Sequence, residues 1–177
     1  YNELHLLGPA GDLRPYRKRV LFSPAGEARQ CRPGAGLPPT LETPIGRLAA
    51  LVCYDLRFPE LTRAPFYDRA DLLIVPAQWP HPRTGVFTLL ARARAAENQC
   101  WLLACNRAGT APLGDRRMDF PGTAFLVDPL GEIAAEVDDG ELLVGEIDHA
   151  EMAEIRRAVP CLRDLKKAGL LPRELEQ

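Results

Sequence analysis

Apolar and polar positions roughly alternate over residues 1–7, from Tyr1 to Leu7. Gly8, Pro9 and Gly11 then mark a turn, and residues 13–21 resume a strand-like run, so a β-hairpin is expected at the start of the chain. Residues 25–39 are rich in Gly and Pro and read as loop. A second hairpin is expected over residues 41–53, ending in a buried strand at Cys53.

Past Cys53 the period lengthens. Pro59 suits a first helical turn, and residues 60–69 have helical composition, cut short or broken at Pro65. A buried strand follows at 71–76, a loop at 78–84, a helix of strong formers at 86–98, and another buried strand at 100–105. Residues 108–121 read as a long polar loop. A hairpin is expected across 122–137 around the turn at 129–132, a last strand at 142–147, and a helix at 151–158 stopped by Pro160. The charged tail after Cys161 is expected to lie on the surface or wrap a neighbour. Strands alternate with helices in the middle and hairpins stand at the ends, which predicts a mixed α/β (α+β) architecture. No fixed-period repeat and no linker divides the chain.

Composition narrows the function. With 177 residues, 46% hydrophobic and 26% charged, the chain resembles an average globular domain. A net charge of -2 gives no reason to expect nucleic acid or an anionic membrane as partner. No apolar run approaches the ~20 residues of a membrane span. The single serine, Ser23, precedes Pro24 in a turn-like stretch, which argues against a serine hydrolase. The five cysteines form no CxxC pair and no Cys/His zinc pattern, so neither metal nor cofactor is expected. Their odd number, with Cys53, Cys100 and Cys105 in apolar runs, suits reduced thiols and a cytoplasmic setting.

Two residues carry candidate chemistry. Cys53 stands where a buried strand meets a turn before a helix, a place that exposes a nucleophile and aims turn amides at an incoming oxyanion. An ordinary core cysteine is the alternative. Lys18 is one of only three lysines and shares a strand face with Tyr16 and Val20, while Arg17, Arg19 and Leu21 take the other. A lysine on a half-buried face needs a partner or a task, unless it is an edge-strand charge that discourages aggregation.

Several stretches carry a resemblance. They are Tyr16-Arg17-Lys18-Arg19-Val20-Leu21-Phe22, Val52-Cys53-Tyr54-Asp55-Leu56-Arg57-Phe58-Pro59-Glu60, Ala77-Gln78-Trp79-Pro80, Ala95-Ala96-Glu97-Asn98-Gln99 and Cys105-Asn106-Arg107. In this order and spacing they resemble the nitrilase (carbon–nitrogen hydrolase) superfamily, and its omega-amidase/Nit-like branch in particular. The likeness extends through Asp128-Pro129-Leu130-Gly131-Glu132 and runs from Tyr1 to about Leu165. It implies a nitrilase-type α-β-β-α four-layer sandwich, of which the chain would hold the C-terminal two-thirds as one partial domain over 1–177.

The resemblance also implies a Glu–Lys–Cys triad with Cys53 as nucleophile and Lys18 as the oxyanion cation, joined by the Tyr54 amide. In the family the general-base glutamate precedes the lysine. Here only Glu3 does, and not at the family position, so the base and the first strands are expected to be missing. Glu27 matches a second glutamate that follows the lysine. The implied substrate is a small amide bearing a carboxylate, such as 2-oxoglutaramate, with Arg57, Trp79 and Asn106 as candidate substrate contacts. Arg57 could instead pair with Asp55 or Glu60, and Trp79 could simply be packed. Two copies are expected to pair through helices near 60–69 and 86–98. A deaminated-glutathione amidase, or an interaction module without catalysis, remains the alternative.

Overall fold

The computed structural model describes residues 1–9, 11–12, 15–138 and 141–172. The chain opens with four two-residue strands, β1 (Glu3–Leu4), β2 (Leu7–Gly8), β3 (Gly11–Asp12) and β4 (Tyr16–Arg17). β1 pairs antiparallel with β4, and β2 with β3. The expected second strand over 13–21 is thus ladder-paired only at its middle, and its first residues, Leu13 and Arg14, lie outside the described residues. From 15 to 19 burial alternates, with Tyr16 and Lys18 inward and Arg17 and Arg19 outward, as the sequence period requires.

β5 (Thr40–Thr43) and β6 (Gly46–Ala50) form the second hairpin. Gly46 closes it with φ +112°, and a Cβ there would lie 2.9 Å from the Asp71 carboxylate. Both backbone freedom and absence of a side chain are needed. α1 (Pro59–Tyr67), β7 (Leu72–Ala77), α2 (Thr84–Asn98) and β8 (Trp101–Asn106) follow. Pro65 is buried inside α1 without interrupting it, and the helix ends two residues later at Tyr67.

Two sequence expectations change. Residues 108–121 are a hairpin, β9 (Ala108–Leu113) with β10 (Arg116–Pro121), paired over its full length. Its polar composition is that of a ribbon with mostly exposed residues, so no apolar alternation announces it. After β11 (Ala124–Val127) and β12 (Ile133–Val137), residues 142–147 are assigned to no strand. Leu143 and Ile147 pack on the sheet, while Leu142 and Val144 are exposed. α3 (His149–Ala158) and α4 (Cys161–Lys167) complete the described fold.

The main sheet has the order β12-β11-β8-β7-β6-β5, with β6, β7 and β8 parallel and the outer pairings antiparallel. Leu73 and Val75 point to the face covered by Leu61 of α1 and by Phe87, Ala91 and Ala95 of α2. Leu72 and Ile74 point to the other face, with Trp101, Leu126 and Met152 of α3. Apolar residues on both faces explain why β7 and β8 read as continuous hydrophobic runs. Each fully buried leucine contributes roughly 1.5–3 kcal/mol. The mixed α/β class expected from the sequence is the one observed. Because β6 and β7 are parallel, the carboxyl end of β6 and the loop after β7 lie at the same end of the sheet, where ligands bind in parallel α/β folds.

Candidate active site

Cys53 lies three residues past β6. Val52 is extended, and Cys53 then turns to φ +50°, beginning one 3-10 turn over Cys53–Arg57. A left-handed cysteine is uncommon and costs about 1 kcal/mol or more, so the surroundings must hold it there. Two groups do so from opposite ends. The Asp55 carboxylate accepts the Val52 amide at 3.3 Å on the near side. On the far side Arg94 of α2, itself buried, donates to the carbonyls of Leu56 at 3.1 Å and Arg57 at 3.3 Å. The Cys53 sulfur points to the Gln78 carbonyl, 3.7 Å away, in the loop after β7.

Lys18 is only 3% exposed, and its Nζ sits 2.5 Å from Glu27 Oε2. The same oxygen accepts the Phe22 amide at 2.6 Å, and Glu27 Oε1 accepts Asn2 Nδ2 at 3.0 Å. Burial pushes the Glu27 carboxyl up, but the bonds from Lys18, Phe22 and Asn2 outweigh it and hold it below the usual range. Lys18, Glu27 and Cys53 line one open cavity of about 700 Å³, together with Val52, Gln78 and Arg107. Burial raises the Cys53 thiol; the Lys18 ammonium and the Tyr54 backbone amide act in the opposite direction, toward thiolate.

The other sequence candidates are distributed around this pair. The Tyr54 ring is wedged edge-on between Phe22 at 4.9 Å and Phe58 at 5.1 Å, leaving its amide beside the sulfur. The Arg57 guanidinium lies over the Trp79 ring at 5.1 Å and the Tyr54 ring at 5.9 Å. Among the described residues it makes no ion pair, so the alternative pairing with Asp55 or Glu60 is not formed. A second, small cavity of about 30 Å³ is lined by Cys53, Arg57, Trp79 and Arg83.

Trp79 is both packed and placed at that cavity. Its ring stacks against Phe87 at 5.2 Å, and its indole N–H donates to the Arg83 carbonyl at 3.0 Å. Asn106 is buried against the loop that carries Trp79. Its Oδ1 accepts the Trp79 amide at 2.8 Å and its Nδ2 donates to the Trp79 carbonyl at 2.9 Å, so both ends of the buried amide group hold the loop. The next residue, Arg107, is the one that lines the large cavity. The sequence offered the fully buried Asp55 only as a partner for Arg57 and did not point to Arg94. The signal for Asp55 was its place two residues past the cysteine, inside the quoted motif. Nothing in the helical composition of α2 marks Arg94.

Among the described residues no group of three His, Cys, Asp or Glu side chains could hold a metal ion. No helix among them is long and apolar enough to cross a membrane.

The fold and site define a mixed α/β protein with a strand-end cysteine beside a buried lysine–glutamate pair. The chain belongs to the carbon–nitrogen hydrolase family, whose profile matches residues 1–157. It is 35% identical over 169 residues to 2-oxoglutaramate amidase of Bacillus subtilis, covering 94% of this chain and 63% of that protein. It is 34% identical to omega-amidase YafV of Yersinia enterocolitica, over 96% of this chain and 65% of the relative. The chain thus spans somewhat under two-thirds of these relatives. Among solved structures, a CN-hydrolase superfamily protein from Xanthomonas campestris, with an arsenic adduct in its active site, superposes with TM-score 0.84. It shares 33% identity, over 93% of this chain and 63% of that one. A mutant amidase from Nesterenkonia sp. AN1 matches with TM-score 0.69 and 34% identity, over 84% of this chain and 57% of that one. It carries the acetamide moiety of fluoroacetamide covalently added at its active-site cysteine.

Proposed function

We propose that the protein containing this chain is a thiol amidohydrolase of the omega-amidase type. It cleaves the amide of a small carboxylate-bearing substrate such as 2-oxoglutaramate through a Cys53 thioester. The observation that carries this reading is the shared cavity, in which a cysteine on a strained elbow faces a lysine charge-paired to a carboxylate. The names of the Bacillus and Yersinia relatives support the substrate class.

In this mechanism the Cys53 thiolate attacks the amide carbonyl carbon, and the carbonyl electrons move to oxygen. The Lys18 ammonium and the Tyr54 amide bind that oxyanion, each well-placed donor contributing roughly 3–4 kcal/mol. Collapse expels the nitrogen as ammonia once it is protonated, leaving a thioester. Water then adds to the thioester and releases the acid and the thiol. The family resemblance implies a carboxylate upstream of the lysine as the base for the Cys53 proton. Glu27, with both oxygens engaged, pairs with the Lys18 ammonium and aims it. Arg57 takes the distal carboxylate of the substrate, with Trp79 walling the acyl side and Asn106 fixing Trp79.

The same reading includes a cytoplasmic homodimer of one carbon–nitrogen hydrolase domain, of which residues 1–177 are part, paired through α1 and α2. The exposed Val86 and Leu89 of α2 supply apolar surface for such pairing. Ammonia release by the full-length protein from 2-oxoglutaramate, compared with longer and shorter amides, tests the activity. Preference for 2-oxoglutaramate is expected. Preference for deaminated glutathione would move the protein to that amidase branch, and no release from any carboxylate-bearing amide would overturn the proposal.

A further inference from the structure

We propose that Asp55 and Tyr16 form a positioning pair that sets Lys18 against Cys53. The inference rests on the reading of Cys53 as nucleophile. The Asp55 side chain is fully buried, and its carboxylate receives four donors. Oδ1 accepts the Val20 amide at 2.8 Å. Oδ2 accepts the Tyr16 hydroxyl at 2.9 Å, the Arg19 amide at 3.3 Å and the Val52 amide at 3.3 Å. Three of these donors flank Lys18 on both sides, and the fourth belongs to the residue just before Cys53. One carboxylate therefore joins the segment bearing the ammonium to the turn bearing the thiol.

The connection matters because the Lys18 segment is not part of the main sheet. β4 has two pairing positions with β1, Glu3↔Arg17 and Leu4↔Tyr16. Beyond them the Lys18 amide bonds the Asn2 carbonyl at 2.9 Å, and the Gly34 amide bonds the Lys18 carbonyl at 2.8 Å. None of these contacts reaches the Cys53 turn. Asp55 also offers only acceptors to its four donors, so an amide cannot replace it. In Asp55→Asn one orientation of the NH2 group faces the Val20 amide, and the other faces the amides of Arg19 and Val52. Two donors pointing at each other would push the segments apart.

The test uses the full-length protein and does not depend on knowing the substrate. Cys53 alkylation by iodoacetamide is followed against pH by peptide mapping in wild type, Asp55→Asn and Tyr16→Phe, with folding checked by circular dichroism. Withdrawal of the ammonium from the sulfur in Asp55→Asn raises the alkylation midpoint by about half a pH unit or more. Ammonia release then loses about 100-fold in kcat with little change in KM, as for a misplaced catalytic group. Tyr16→Phe moves both in the same direction, with about tenfold loss in kcat. A purely structural role would lower Tm and leave the midpoint in place. A folded Asp55→Asn with the wild-type midpoint overturns the proposal. If Asp55→Asn does not fold, Tyr16→Phe decides, and an unmoved midpoint there overturns it. A wild type that releases no ammonia, with the midpoint still raised in the variant, overturns the amidase reading and leaves the positioning pair standing.

Discussion

The Lys18 ammonium and the Glu27 carboxylate meet at 2.5 Å inside a nearly buried pocket wall, and the Phe22 amide shares the same carboxylate oxygen. The 3-10 turn at Glu27–Arg29 and the residue that follows β4 converge on this contact. A buried cation without its partner would be strongly disfavoured, so the pair acts as a unit. Glu27→Gln keeps the shape and removes the charge. It should lower kcat by about 10- to 100-fold while KM changes little, because Lys18, the proposed oxyanion cation, is then less well held. Equal changes in kcat and KM would assign Glu27 to substrate binding instead.

The same carboxylate makes stability depend on pH. Glu27 is held below its unfolded value, about 4.3. Its contribution is therefore complete above that value and is lost as pH falls through the folded pKa. Asp55 acts in the opposite sense. Burial raises it against the bonds from Val20, Tyr16, Val52 and Arg19, so its contribution is present at low pH and is lost as pH rises through its folded pKa. Urea midpoints of wild type and Glu27→Gln should therefore converge as the pH is taken down through the carboxylate range. A difference that stays constant with pH would show that Glu27 is not held low in the folded protein.

The central strands and helices were legible in the sequence because they are buried on both faces or built from strong helix formers. Leu72–Ala77, Trp101–Asn106 and Thr84–Asn98 follow from apolar runs and composition alone. The β9–β10 ribbon was not legible, since it buries little and its pairing is carried by backbone bonds that any polar sequence can make. Residues 142–147 misled in the other direction: Leu143 and Ile147 pack on the sheet without a strand partner among the described residues. In the candidate site, position singled out Cys53 and strand face singled out Lys18, and the structure brings both to one cavity. The two bonds from Asn106 to Trp79 were not legible, because a side-chain amide that replaces backbone pairing has no signature in sequence spacing. The bonds from Asp55 join segments far apart in the chain, which no local pattern reports.

Arg57 offers a charge without an ion-pair partner among the described residues, stacked on Trp79 and Tyr54 beside the cysteine. A guanidinium in this setting can bind a carboxylate with two parallel bonds. Arg57→Ala should raise KM for a carboxylate-bearing amide by about 10- to 100-fold, the loss of a charge-assisted hydrogen bond. A neutral amide of the same length should be little affected. Equal losses on both substrates would mean that Arg57 serves only to pack Trp79.

Gly34 is a sensitive point outside the cavity. A Cβ built there would overlap the Arg17 carbonyl oxygen and lie 2.7 Å from the Arg17 Cβ, so an alanine cannot fit without moving β4. The same residue donates to the Lys18 carbonyl at 2.8 Å and accepts from Arg19 Nη1 at 2.6 Å. Any displacement is thus passed directly to Lys18. Gly34→Ala should cost about 1–3 kcal/mol in stability, as overpacking does, and should also lower kcat. Gly85 gives the contrast, because a Cβ there meets nothing within 4 Å. It lies within α2, so Gly85→Ala should stabilise by about 0.5–1 kcal/mol and leave kcat unchanged. Thermal melts and initial rates of both variants read the comparison. A Gly34→Ala protein with wild-type Tm and kcat would mean that β4 yields freely and that Lys18 is not held from this side.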